Sequence, residues 1–96
     1  MKSRTRARGI ALQVLYEYDL AGHPLSEAVA ARLEDEKLEP NLEDFVRQIV
    51  YGVTPIIEKL DTVITEHAPE WPLDQVAVID RNILRISLWE FAVAKC

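Results

Sequence analysis

Apolar residues recur along this chain at helical spacing, and nowhere does a period of two persist long enough to make a strand. The first pattern runs from a basic opening straight into Gly9-Ile10-Ala11-Leu12-Gln13-Val14-Leu15-Tyr16-Glu17-Tyr18. Gly22-His23-Pro24 ends it, with Gly22 placed just past the C-cap. A second helix starts at Leu25 or Ser26 and reaches about Lys37. Ala28, Ala30, Val29 and Leu33 form its apolar side, and Glu34-Asp35-Glu36 reads as a solvated face. Asn41 suits the cap of a third helix, with Asp44 three residues on. Its stripe is clean: Phe45, Val46, Ile49, Val50 and Val53 stand at i, i+1, i+4, i+5 and i+8. Thr54-Pro55 restarts the pattern as cap and first helical residue, and Ile56, Ile57, Leu60, Val63, Ile64 and His67 continue it. Pro69-Glu70-Trp71-Pro72 forces a break. Beyond it, Val76, Ile79, Ile83, Ile86 and Glu90 mark one helix face, and Leu84, Leu88 and Phe91 an adjacent one. Tyr18 and Trp89 are assigned to the core. The expectation is an all-α bundle of about five helices, a single domain over residues 1–96. Its last helix is still periodic at Cys96, so it either ends flush with the protein or belongs to a longer domain.

Composition supports a folded chain. A hydrophobic fraction of 49% is more than disordered sequences carry, and 96 residues lies near the low end for a self-sufficient core. Cys96 is the only cysteine and has no internal partner, which fits a reducing compartment. Neither a cleavable signal pattern nor about 18 consecutive apolar residues occurs, so a soluble cytoplasmic protein is expected. Charge changes the picture more. Lys2, Arg4, Arg6 and Arg8 are four of the 11 basic residues; the remaining seven face all 16 acidic ones, leaving residues 9–96 at −9. A cationic head on an acidic body attracts polyanions locally while the rest of the surface repels them. Nucleic acid is the first partner to consider.

Catalytic chemistry finds little footing. His23 sits in a turn and His67 at a helix end, neither near the cysteine in sequence. No zinc-ligand spacing occurs, and the three glycines are isolated and form no phosphate-cradling loop. No enzyme activity, cofactor or metal is expected.

Three separated motifs carry a resemblance. Arg4-x-Arg6-Ala7-Arg8-x-x-Ala11-Leu12-Gln13-x-Leu15-Tyr16 resembles the opening of the NusB family of bacterial transcription antitermination factors. Asp44-Phe45-x-x-x-Ile49-Val50-x-Gly52-Val53 is similar to that family's third helix, and the run from Trp71 to Glu90 with Asp80-Arg81-x-Ile83-Leu84-Arg85 is similar to its fifth. The resemblance implies an all-helical fold that binds boxA RNA of ribosomal RNA operon leaders. It implies doing so with the ribosomal protein NusE, within the transcription elongation complex. Two departures stand out. Gly9 occupies a position that is often acidic in the family, with Thr5 interrupting the arginine run. The family's Pro-Pro-x-Val-Ala-Ile-Asn-Glu-type turn and its last two helices have no counterpart. Faces of helices one, three and five would then be uncovered, and self-association through apolar surface is expected.

Within that frame the residues divide into two groups. Lys2, Arg4, Arg6 and Arg8 offer point charge and forked donors for phosphates, against the plainer reading of a solubilising terminus. Arg4 and Arg8 share a helix face, and Arg6 points elsewhere. Tyr16, two turns beyond Arg8, could stack an unpaired base for about 1–3 kcal/mol, or simply edge the core. Asp74 and Asp80 match positions at which the resemblance implies contact with the basic ribosomal partner. Asp80 equally suits a helix cap, with Arg81 and Arg85 forming surface or intra-helix pairs. The alternative function is a NusB-like targeting domain of a ribosomal-RNA cytosine methyltransferase, which would continue into a Rossmann-type fold. A helical interaction protein without an RNA role, or a truncated inactive remnant, completes the alternatives.

Overall fold

Small residues decide how the bundle is assembled. Ala7 and Ala11 lie on the inner stripe of the first helix with Ile10, Val14 and Leu15, all buried. Their short side chains let a neighbouring helix approach closely. That neighbour carries the Phe45, Val46, Ile49, Val50 and Val53 stripe, also buried throughout. Each large side chain so removed from water contributes about 1.5–3 kcal/mol.

The computed structural model describes residues 3–70 and 76–94. Among these residues five α-helices appear, as the periodicity predicts: α1 (Ser3–Ala21), α2 (Leu25–Glu36), α3 (Pro40–Val53), α4 (Ile57–His67) and α5 (Val78–Trp89). A 3-10 turn, Thr54–Ile56, precedes α4, and a π-helical turn, Glu90–Ala94, follows α5. α1 is central and packs on α2, α3 and α5. Gly22 ends α1 at φ +69, a left-handed conformation that favours glycine, and its N–H donates to the Tyr18 carbonyl. α2 buries Ala28, Val29 and Leu33, but Ala30 faces solvent.

Several local expectations are corrected. Pro40 takes the first position of α3 behind Glu39, so Asn41 is inside the helix and does not cap it. Thr54 does not cap α4; its hydroxyl turns back to the Val50 carbonyl at 3.0 Å while the 3-10 turn makes the corner. Of the apolar positions expected to face inward from α4, only Leu60 is fully buried, and Val63 and His67 are exposed. α5 is rotated from the expected face: Asn82, Arg85, Ile86 and Trp89 are buried, whereas Ile79 and Ile83 are exposed. Trp89 is in the core as expected, but Tyr18 is not, and Phe91 is 82% exposed.

Two contacts fix α5. Trp89 lies so close over Gly52 that a Cβ there would come within 2.5 Å of three indole atoms, so α3 accepts the ring only where it lacks a side chain. The second contact is polar. Arg85 donates from Nε and Nη2 to both carboxylate oxygens of Asp61, each at 2.7 Å. Its Nη1 donates to Asp19 and to the Asn82 side-chain oxygen, at 2.9 and 3.1 Å. Asp19 also accepts from Arg81 and from Asn82. This network joins α1, α4 and α5, so Arg81 and Arg85 are tertiary ties and not the surface or intra-helix pairs the sequence suggests. Among the described residues no buried side-chain nitrogen or oxygen lacks a partner. Burial works against the charged form of Asp19, but hydrogen bonds from Arg81 and Asn82 and the charges of Arg85 and Arg81 outweigh it and lower its pKa. Arg85 is held still more firmly protonated, chiefly by its hydrogen bonds to Asp61, against the opposing pull of burial.

Candidate nucleic-acid interface

α1 and α5 run antiparallel, because Arg8 meets Glu90 at one end and Asp19 meets Arg81 and Asn82 at the other. The basic head thus stands at the end of the bundle where α5 finishes. Arg4, Arg6 and Arg8 lie on the first two turns of α1, so their charges are carried by an ordered helix. Arg4 and Arg8, one turn apart, both lie over the Phe45 ring, with guanidinium carbons 4.6 and 5.5 Å from its centroid. Phe45 itself is buried, so α3 supplies a fixed aromatic floor for two cations. Arg8 donates from Nε to both oxygens of Glu90, at 2.8 and 3.1 Å. Arg6 does point elsewhere: its Nη2 donates to the Glu36 carbonyl at 2.9 Å, satisfying an open acceptor at the C-terminus of α2. Glu36 is accordingly half-buried, and only Glu34 and Asp35 of the acidic run are exposed.

Tyr16 lies eight residues beyond Arg8, about 12 Å along the helix axis. It is 36% exposed, and with Gln13, Glu17, Arg32 and Ile79 it lines a shallow groove between α1, α2 and α5. An ion pair from Arg32 to Glu17, at 2.6 Å, borders that groove. The structure therefore separates Tyr16 from the arginine pair and sets it beside the start of α5. Asp80 is exposed there, in the first turn of that helix. It does not cap the helix, since Ala77 holds that position without a side-chain bond, although a carboxylate in the first turn suits the helix dipole. Lys2 and Asp74 lie outside the described residues. Phe45 and Glu90 are what sequence reasoning missed as site residues. Their signal was present in the spacing: Phe45 opens the buried stripe of α3, and Glu90 interrupts an otherwise apolar end of α5.

Among the described residues no group of three His, Cys, Asp or Glu side chains is arranged to hold a metal, and no helix is long and apolar enough to cross a membrane.

Known proteins match this arrangement. The transcription antitermination protein NusB of Roseiflexus castenholzii is 45% identical over 92 residues, covering 96% of this chain and 65% of its own length. The Bacillus subtilis protein of the same name is 40% identical over 95 residues, covering 99% of this chain and 69% of its own. This chain thus spans about two-thirds of the length of such curated relatives. Among solved structures, a crystal structure of antitermination factors NusB and NusE in complex with dsRNA superposes with a TM-score of 0.88 at 27% identity, covering 100% of this chain and 71% of that one. The solution structure of NusB from Aquifex aeolicus superposes at 0.77 and 28% identity, covering 96% of this chain and 63% of that one. The NusB family profile matches residues 5–95, nearly the whole sequence. The chain belongs to the NusB family.

Proposed function

We propose that this chain is an RNA- and protein-binding transcription antitermination factor of the bacterial cytoplasm. It takes single-stranded boxA-type RNA of ribosomal RNA operon leaders and acts with the ribosomal protein NusE in the elongation complex. The observation that carries this reading is the pair Arg4 and Arg8 on the Phe45 ring, two cations held at the tip of an ordered helix on an otherwise acidic chain. Arginine fixed in this way meets phosphates through forked donors, which position RNA without reading its sequence. The Tyr16 groove and Asp80, toward the opposite end of the α1–α5 pair, serve the protein partner and the neighbouring bases. A relative crystallised with NusE and dsRNA supports both partner classes. Activity here is binding, without catalysis.

The test is binding of a boxA-type RNA and of a scrambled control across a salt series. Arg4, Arg6 and Arg8 changed together to Ala should weaken both and flatten the salt dependence by about 0.7 per lost phosphate contact. Unchanged affinity and slope would refute the RNA reading.

A further inference from the structure

A carboxylate beside an RNA-binding arginine is at first sight a mistake, because it lowers the positive potential that attracts the polyanion. Glu90 is such a carboxylate, and its placement is specific. Its two oxygens share one donor, the Arg8 Nε, and take neither terminal nitrogen. Those terminal nitrogens have no hydrogen-bond partner among the described residues, and the Arg8 side chain remains 37% exposed against 16% for Glu90. Phe45 restrains the guanidinium from its face while Glu90 restrains it from the Nε edge. Two restraints, from α3 and from the turn that follows α5, thus engage Arg8 at its face and its Nε edge and make no use of its forked end. Glu90 is itself held, since it begins the π-helical turn and its N–H donates to the Ile86 and Ser87 carbonyls. Beside it the Arg8–Glu90 cleft is lined by Gly9, Leu12, Ile83, Ile86 and Ser87, and Gly9 has nothing within 4 Å of where a Cβ would stand. The approach to Arg8 is open.

We infer that Glu90 is a positioning residue for RNA: it fixes Arg8 through Nε so that the two terminal nitrogens are pre-aligned on a backbone phosphate. The inference rests on the RNA reading above. The ordering of a long side chain is then completed on folding, and is not charged against binding. The Glu90 carboxylate also subtracts from the local positive potential, and at 16% exposure it is only partly screened by solvent and salt.

Glu90→Gln and Glu90→Met separate the two effects, since both remove the charge and only Gln keeps a good acceptor for Nε. Measured against a boxA-type RNA, Gln should bind at least as tightly as the unaltered chain. Met should bind about two- to tenfold more weakly than Gln, the range expected for releasing one flexible side chain. In an Arg8→Ala background that difference should vanish. Equal affinities for Gln and Met, with thermal melts showing both folded, would overturn the positioning role while leaving the RNA reading intact. If the unaltered chain binds no better than the triple arginine variant, the RNA reading fails and the inference with it. Should Met fail to fold, the Arg8 Nε–H signal of the unaltered chain decides by nitrogen-edited NMR. A resolved, exchange-protected resonance supports the clamp, and one averaged with the other arginines overturns it.

Discussion

The two ends of the α1–α5 pair are each joined by arginine and carboxylate, yet they are built for opposite purposes. At the Asp19 end, all three guanidinium nitrogens of Arg85 donate: two to Asp61 and the third to both Asp19 and Asn82, with the side chain only 7% exposed. At the Arg8 end, one donor is spent and the forked tip is left over. Saturation makes the first cluster a structural tie; incompleteness makes the second a place where a ligand can finish the coordination. Burial sets the energetic contrast, because a buried charge that loses its partner cannot be rescued by water.

The sharpest way to break this comparison is to remove each arginine in turn. Arg85→Met strands Asp61 and takes one of three partners from Asp19, which keeps Arg81 and Asn82, and should cost about 3 kcal/mol, the low end for breaking a buried pair since both acids keep some solvent contact. Arg8→Ala removes a rim pair and should cost about 1 kcal/mol or less. Urea denaturation of both variants measures the difference, and equal losses would erase the distinction between the two ends. Next in size is Gly52→Ala, where the new methyl group would collide with the rigid Trp89 indole. Overpacking of this kind costs about 1–3 kcal/mol, visible as a lowered melting temperature.

Acid should act on the Asp19 end with a smaller, graded effect. Asp19 has a folded pKa below its ordinary 3.8, so its contribution to stability is complete above that value and declines as pH falls through the lowered one. Unfolding midpoints should therefore drop from about pH 4 downward, and Asp19→Asn should flatten that part of the profile. A chain whose acid limb is unchanged by Asp19→Asn would place the sensitive groups elsewhere.

The core of α1 and α3 was legible because apolar side chains at helical spacing leave one solution, and Gly22 marks the end of α1; the start of α3 was set too late, at Asn41, because Pro40 already opens the helix. α5 was misread for an instructive reason. Its inner face reads Asn82, Arg85, Ile86 and Trp89, so a hydrophobic pattern centred on Ile79 and Ile83 rotates the helix. Polar residues at core spacing become intelligible only when their partners are known, and Asp19 and Asp61 lie 66 and 24 residues away from Arg85 in the chain. The same holds for the candidate site. The arginines are visible as a cluster, but a floor from α3 and a clamp from the end of α5 come from packing that no local window contains.

The closeness of Trp89 to Gly52 has a practical consequence. Trp89 is the one tryptophan among the described residues, 7% exposed, and immediately precedes the carboxylate that holds Arg8. An indole sealed against helix backbone emits at short wavelength. It also stands one residue from the surface where a polyanion would arrive. The fold therefore carries a built-in optical reporter at the joint between its core and the proposed RNA-binding face. In a Trp71→Phe background, which leaves Trp89 as the sole indole, loosening of α5 from α3 would register as a red shift without any added label.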